Sequence, residues 1–161
     1  MKTMSSILLA AALAALPMTS FATVQTGVEA AAQAGSTAPT PAPQRVVFPS
    51  LDDGHTELVA YLYAPRDVQG PAPAVVLMHG RAGAYSSLAH GVYDAATLTM
   101  RHRYWGQYWA DRGYYALVVD SFGPRGYPGG FGRGSYGDRP DAVNEVTVRP
   151  LDAYGALRYL R

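Results

Sequence analysis

His79-Gly80-Arg81-Ala82-Gly83 has residue types and spacing that can do chemistry. It follows Ala74-Val75-Val76-Leu77-Met78, an apolar run without alternation that suits a central strand buried on both faces. Where such a strand ends and the chain turns sharply, backbone N–H groups can point at a developing negative charge, and glycine permits close approach. Acyl transfer needs two such donors for its oxyanion. The expected donor here is the N–H of Arg81, or alternatively that of Ala82. The competing reading is an ordinary β–α turn shaped by His79, Gly80 and Gly83, with His79 bracing the loop by hydrogen bonding rather than acting as a base.

Other candidates are weaker. Gly132-x-Gly134-x-x-Gly137 matches a dinucleotide fingerprint as a string, but that motif needs a strand just before it and a helix opening within it. Here the preceding strand ends at Asp120 and Pro140 follows, so no cofactor is expected. Arg125, Arg133 and Arg139 among Tyr127, Phe131 and Tyr136 resemble RNA-binding arginine-glycine segments, a role that export argues against. His55, His90 and His102 read as turn or surface residues whose spacing fits no metal site.

Positioning these residues requires a scaffold. Residues 45–49 and 59–63 flank Asp52-Asp53-Gly54, a turn signal, and so form an antiparallel hairpin. Leu58, Ala60 and Leu62 share one face, with Val59, Tyr61 and Tyr63 on the other. Residues 115–119 form a second buried strand ending at Asp120. Between the two buried strands, residues 101–112 form a helix that Gly113 stops. Its Tyr104, Trp105, Tyr108 and Trp109 recur at i, i+4 and are expected in the core rather than on a ligand platform. Strand, helix, strand makes a parallel, helix-covered unit. The glycine-rich stretch 123–137 reads as a mobile loop without regular structure near the mouth of a site, or alternatively as a plain surface loop, and Pro140-Asp141 as the start of a short helix. Pro150 opens a last helix in which Leu151, Tyr154, Leu157 and Leu160 recur at helical spacing and Arg149 can pair with Asp152 at i, i+3.

Composition bounds the function. The chain has 161 residues, 48% hydrophobic and 16% charged, with 13 basic against 12 acidic residues and no cysteine. That length allows one domain, and a net charge of +1 gives no electrostatic footprint for nucleic acid. The absence of cysteine in these residues excludes a disulfide scaffold, a thiolate metal site and a Cys nucleophile within them. Residues 1–22 read as a secretory signal peptide: Lys2, an Ile/Leu/Ala run over 7–16, Pro17, then Ser20-Phe21-Ala22 as a cleavage pattern. Export to a periplasm or the exterior is expected, with no membrane association after cleavage. Residues 23–44, rich in Ala, Pro and Thr, form a linker, leaving 45–161 for the globular part.

Taken in order, Val76 to Gly83, Arg101-His102 with Trp105-Gly106 and Trp109-Ala110, Val119-Asp120-Ser121-Phe122-Gly123-Pro124-Arg125-Gly126, and Arg149 to Leu157 resemble the dienelactone hydrolase family of α/β-hydrolases, most closely its exported members. The resemblance spans residues 45–161 and departs from many members at Arg81-Ala82. It implies hydrolysis of a small-molecule carboxylic ester or lactone by a nucleophile–His–acid triad, without metal or organic cofactor. In that topology the nucleophile elbow follows the helix placed over 150–161. All three triad members are therefore expected beyond Arg161, and the chain is expected to be the N-terminal part of an incomplete α/β-hydrolase fold, inactive alone. Within the chain, Ser121 and Ser135 each miss the first glycine of a G-x-S-x-G elbow, and Pro124 follows Ser121 where a helix should begin. A second reading is a non-catalytic secreted α/β module that binds a carbohydrate or aromatic ligand through Tyr/Trp-rich loops.

Overall fold

A computed structural model describes residues 41–68 and 70–161, apart from the side chains of residues 136 and 138. The expected signal peptide and nearly all of the linker lie outside the described residues. Strand β1 (Gln44–Pro49) begins at the last linker residue, one position before the expected boundary, and pairs antiparallel with β2 (Glu57–Tyr63). The turn between them is tied by Asp52, whose Oδ1 accepts the Thr56 N–H at 2.8 Å. Strand β3 (Ala74–Met78) runs parallel to β4 (Tyr115–Asp120), and helix α1 (Met100–Ala110) crosses over between them. Helix α2 (Arg149–Tyr159) opens with the expected proline in its first turn. The sheet order is β1-β2-β4-β3, with β2 and β4 antiparallel, so this is an α/β fold with a mixed sheet.

Alternation along β2 divides the core as its sequence requires. Val59, Tyr61 and Tyr63 meet Ala110 of α1 on one face, while Leu58, Ala60 and Leu62 meet Ala156 of α2 and Leu160 just after it on the other. Strand β4 is central, and all of Ala116 to Asp120 is buried. Strand β3 departs from expectation. Its Val75 to Met78 are only half-buried, because β4 is its one neighbour and no described strand covers the other edge.

Both helices dock through small residues, which corrects two expectations. Tyr104 and Trp105 are 59% and 42% exposed and so are not core, whereas half-buried Trp109 packs against the core as expected. Its buried positions are Gly106 and Ala110, with the Tyr63 ring lying where a Gly106 side chain would be. The large rings pack on one another along the outer flank, Trp105 on Tyr108 and Trp109 on Tyr114 at centroid distances of 5.1 Å. In α2 likewise Tyr154 and Leu157 face outward, while Asp152, Gly155 and Ala156 are buried. The loop 123–137 also differs from expectation, since it contains two short 3-10 turns, Gly123–Arg125 and Ser135–Asp138. A further 3-10 turn, Asp141–Val143, stands where the sequence predicts a short helix. Among the described residues no helix is long and apolar enough to cross a membrane.

A side chain at Gly155 would place its Cβ 2.5 Å from the Pro49 carbonyl oxygen. Alanine is the better helix former by about 1 kcal/mol, yet overpacking typically costs about 1–3 kcal/mol. Gly155→Ala should therefore lower the denaturant midpoint, by up to about 2 kcal/mol in stability.

Candidate functional site

The carboxyl ends of β3 and β4 lie side by side, and a buried histidine joins the loops that leave them. The His79 ring has Nδ1 2.7 Å from the Gly80 carbonyl, to which it can only donate, and its Nε2 accepts the Ser121 N–H at 3.1 Å. That pattern fixes a neutral tautomer. Burial supports it, pushing the imidazole down to about 4 from its ordinary 6.5. Phe122 packs edge-on against the ring, 4.4 Å between centroids. Asp120 Oδ1 lies 3.9 Å from Nε2 and accepts the Phe122 and Gly123 N–H groups at 3.1 and 2.8 Å. Burial raises the Asp120 carboxyl above its ordinary value, and those two N–H donors offset part of the rise.

Gly83 N–H donates to Gly80 O at 3.1 Å, closing a four-residue turn with Arg81 and Ala82 at its centre. The turn borders a cleft of about 550 Å³ whose other wall is Thr99 to His102, the start of α1. Thr99 caps this helix by accepting the His102 N–H, and the His102 ring lies 3.0 Å from the Ala84 carbonyl. The amino-terminal end of a helix favours negative charge nearby. His55 and His90 occupy exposed turn positions with left-handed φ of 46° and 50°.

The glycine-rich loop lies across this turn. Phe131 N–H donates to the Arg81 carbonyl at 2.9 Å, and the Arg81 guanidinium reaches Ser135 Oγ at 2.5 Å and the Ser135 carbonyl. Gly130, at φ +65°, comes so close that a Cβ there would sit 2.2 Å from the Ala82 carbonyl carbon. Gly132, Gly134 and Gly137 are thus spent on the strap: Gly134 precedes a 3-10 turn, with neither a strand before it nor a helix opening within it. Neither serine stands on an elbow. Ser121 is fully buried ahead of a 3-10 turn, and its Oγ has no partner among the described residues. Ser135 Oγ donates to the Gly132 carbonyl at 2.7 Å.

The polar centre behind these loops escaped the sequence reading. Arg125 donates to both carboxylate oxygens of buried Asp152, at 2.8 and 3.0 Å, to Asp52 at 2.5 Å and to the Ser121 carbonyl at 2.8 Å. Ser50 Oγ adds a 2.7 Å bond to Asp152. Burial raises Asp52, but hydrogen bonds from Thr56 and Arg125 outweigh it and hold that carboxyl below its ordinary value. The expected Arg149–Asp152 pair does not form. Arg125 has taken the carboxylate, and Arg149 donates instead to the His79 carbonyl and stacks over the Phe122 ring, 5.2 Å from its centroid.

No family model matches the chain, and no curated protein matches it. A solved structure titled "m3DLH" is similar at 22% identity, over 73% of this chain and 41% of that one, with a TM-score of 0.41. The chain therefore spans less than half the length of that structure.

His79 links protonation to stability. The unfolded chain takes up its proton near pH 6.5 and the folded chain only near pH 4. The unfolded state thus binds more protons in that window, and stability falls as pH drops through it, by roughly 3 kcal/mol from this residue. Ring proton shifts of His79 should stay at neutral values down to about pH 4, while denaturation midpoints decline over the same range. A second outcome tests the strap. Gly130→Ala should free the loop from the turn, read as increased amide exchange at Phe131 with the β4 amides unchanged.

Proposed function

We propose that residues 45–161 are the N-terminal portion of an exported α/β-hydrolase of dienelactone hydrolase type, which cleaves a carboxylic ester or lactone. The observation that carries this reading is the turn at the end of β3. Its two central residues, Arg81 and Ala82, line a cleft at the start of α1, after a strand whose other edge has no described neighbour. In the proposed enzyme a further parallel strand pairs with that edge and carries the nucleophile elbow beside the turn. The nucleophile, a serine in the preferred form and a cysteine in the alternative, attacks the carbonyl carbon. A histidine takes its proton, and the carbonyl oxygen gains the charge of the tetrahedral intermediate. The Arg81 N–H, or that of Ala82, donates to this oxygen, and the elbow supplies the second donor. His79 keeps the turn in place and takes no proton during the reaction, being neutral and committed at both ring nitrogens. The triad lies beyond Arg161, and no cofactor is involved.

One observation favours a second reading, a non-catalytic carbohydrate- or aromatic-binding module. The rings of α1 are in continuous contact from exposed Tyr104 and Trp105 through Tyr108 to half-buried Trp109. Exposed aromatic rings of this kind suit the faces of sugars and arenes.

The two readings separate on expression of the reading frame through and beyond codon 161. The hydrolase reading expects hydrolysis of p-nitrophenyl acetate by the longer product and none by residues 45–161. Arg81→Pro or Ala82→Pro should lower kcat about 10²–10³-fold by deleting one oxyanion donor. Turnover by residues 45–161 that vanishes in Ser121→Ala would overturn it, as would a longer product lacking any elbow.

A further inference from the structure

A second cleft opens at the carboxyl end of β4, on the α1 face of the sheet, lined by residues other than those of the turn at Gly80. It encloses about 490 Å³. Its floor is one row across the sheet, where Val47 pairs with Val59 and Val59 with Asp120. Tyr85 and Tyr93 form a wall, their rings 5.2 Å apart and tilted by 59°, and Glu57 stands at the edge. Neither the proposed hydrolase chemistry nor the core explains this combination.

Asp120 is the unusual member. It is 3% exposed and accepts two backbone N–H groups and a side-chain hydrogen bond from Tyr85, yet among the described residues the basic atom within ion-pair reach is His79 Nε2 at 3.9 Å. That imidazole is neutral. The guanidinium of Arg125 is taken by Asp52 and Asp152. A buried carboxyl without a cation is costly, and a cationic ligand would supply the missing charge. Tyr85 is anchored by a 3.1 Å hydroxyl contact with Tyr61, and burial keeps its phenol protonated, so the wall offers neutral ring surface. Tyrosine faces attract organic cations and exclude water from them. Arg45 also lines the cleft, so Asp120 and Glu57 against Arg45 leave its charged groups one negative charge in excess.

We propose that this cleft is a binding site for a small organic ammonium ion, seated against Tyr85 and Tyr93 with its charge toward Asp120 and Glu57. The site is independent of the hydrolase reading and stands or falls separately from it.

The experiment titrates the full chain with choline, with its neutral carbon isostere 3,3-dimethylbutan-1-ol, and with glucose, following backbone amide shifts. Choline should shift the amides of Val47, Val59 and Gly123. The isostere should bind at least tenfold more weakly. Glu57→Gln and Tyr93→Ala, both at the exposed mouth, should each weaken choline several-fold without changing the melting temperature, and Asp120→Asn should abolish binding if it folds. Equal binding of choline and the isostere, preferential binding of glucose, shifts confined to other surfaces, or no binding by any of the three would overturn the proposal.

Discussion

One guanidinium holds the parts of this structure that the hydrophobic layers leave loose. Arg125 is fixed between the β1–β2 turn at Asp52, the end of β4 at Ser121 and the buried Asp152 of α2. Two carboxylates against one buried cation would be costly if either were poorly bonded. Here Asp52 takes Thr56 and Asp152 takes Ser50, so each has a hydrogen bond besides the ion pair. The arrangement matters because both helices dock through glycine and alanine, which bring backbones close but bury little apolar area. Polar ties supply the positional precision that large side chains supply elsewhere.

His79 extends the same logic to the strand ends. A neutral imidazole bridging Gly80 and Ser121 makes the loops after β3 and β4 one unit, and Arg149 adds a contact from α2 to the His79 carbonyl. The glycine-rich strap then rests on a turn that is already braced. The proposed donor cradle would draw on this rigidity, since the value of such a cradle comes from dipoles fixed before charge develops.

Much of the scaffold was legible in the sequence. Period-two alternation in residues 58–63 fixed both faces of β2, the unbroken apolar runs marked β3 and β4, and Gly113 and Pro150 bounded the helices. Helix orientation was not legible. Spacing alone put Tyr104 and Trp105 in the core, whereas Gly106 and Ala110 face the sheet because the Tyr63 ring leaves no room for more. The Arg125 network was invisible for a different reason. Its members lie 27 and 73 residues from Arg125, so helical i, i+3 spacing pointed to Arg149 as the partner of Asp152. At the candidate site the sequence singled out the turn but not the strap, because nothing local reports that Gly130 meets Ala82.

The two outer strands of the sheet are not equivalent. Strand β1 carries Arg45 and ends in Pro49, a charge and a missing amide donor that discourage a neighbour. Strand β3 has neither, only five small or aliphatic residues with a row of main-chain dipoles along its outer side. Among the described strands the sheet is therefore polar: the outer side of β3 can accept a further ribbon, while the charge and the proline of β1 discourage one on the hairpin side.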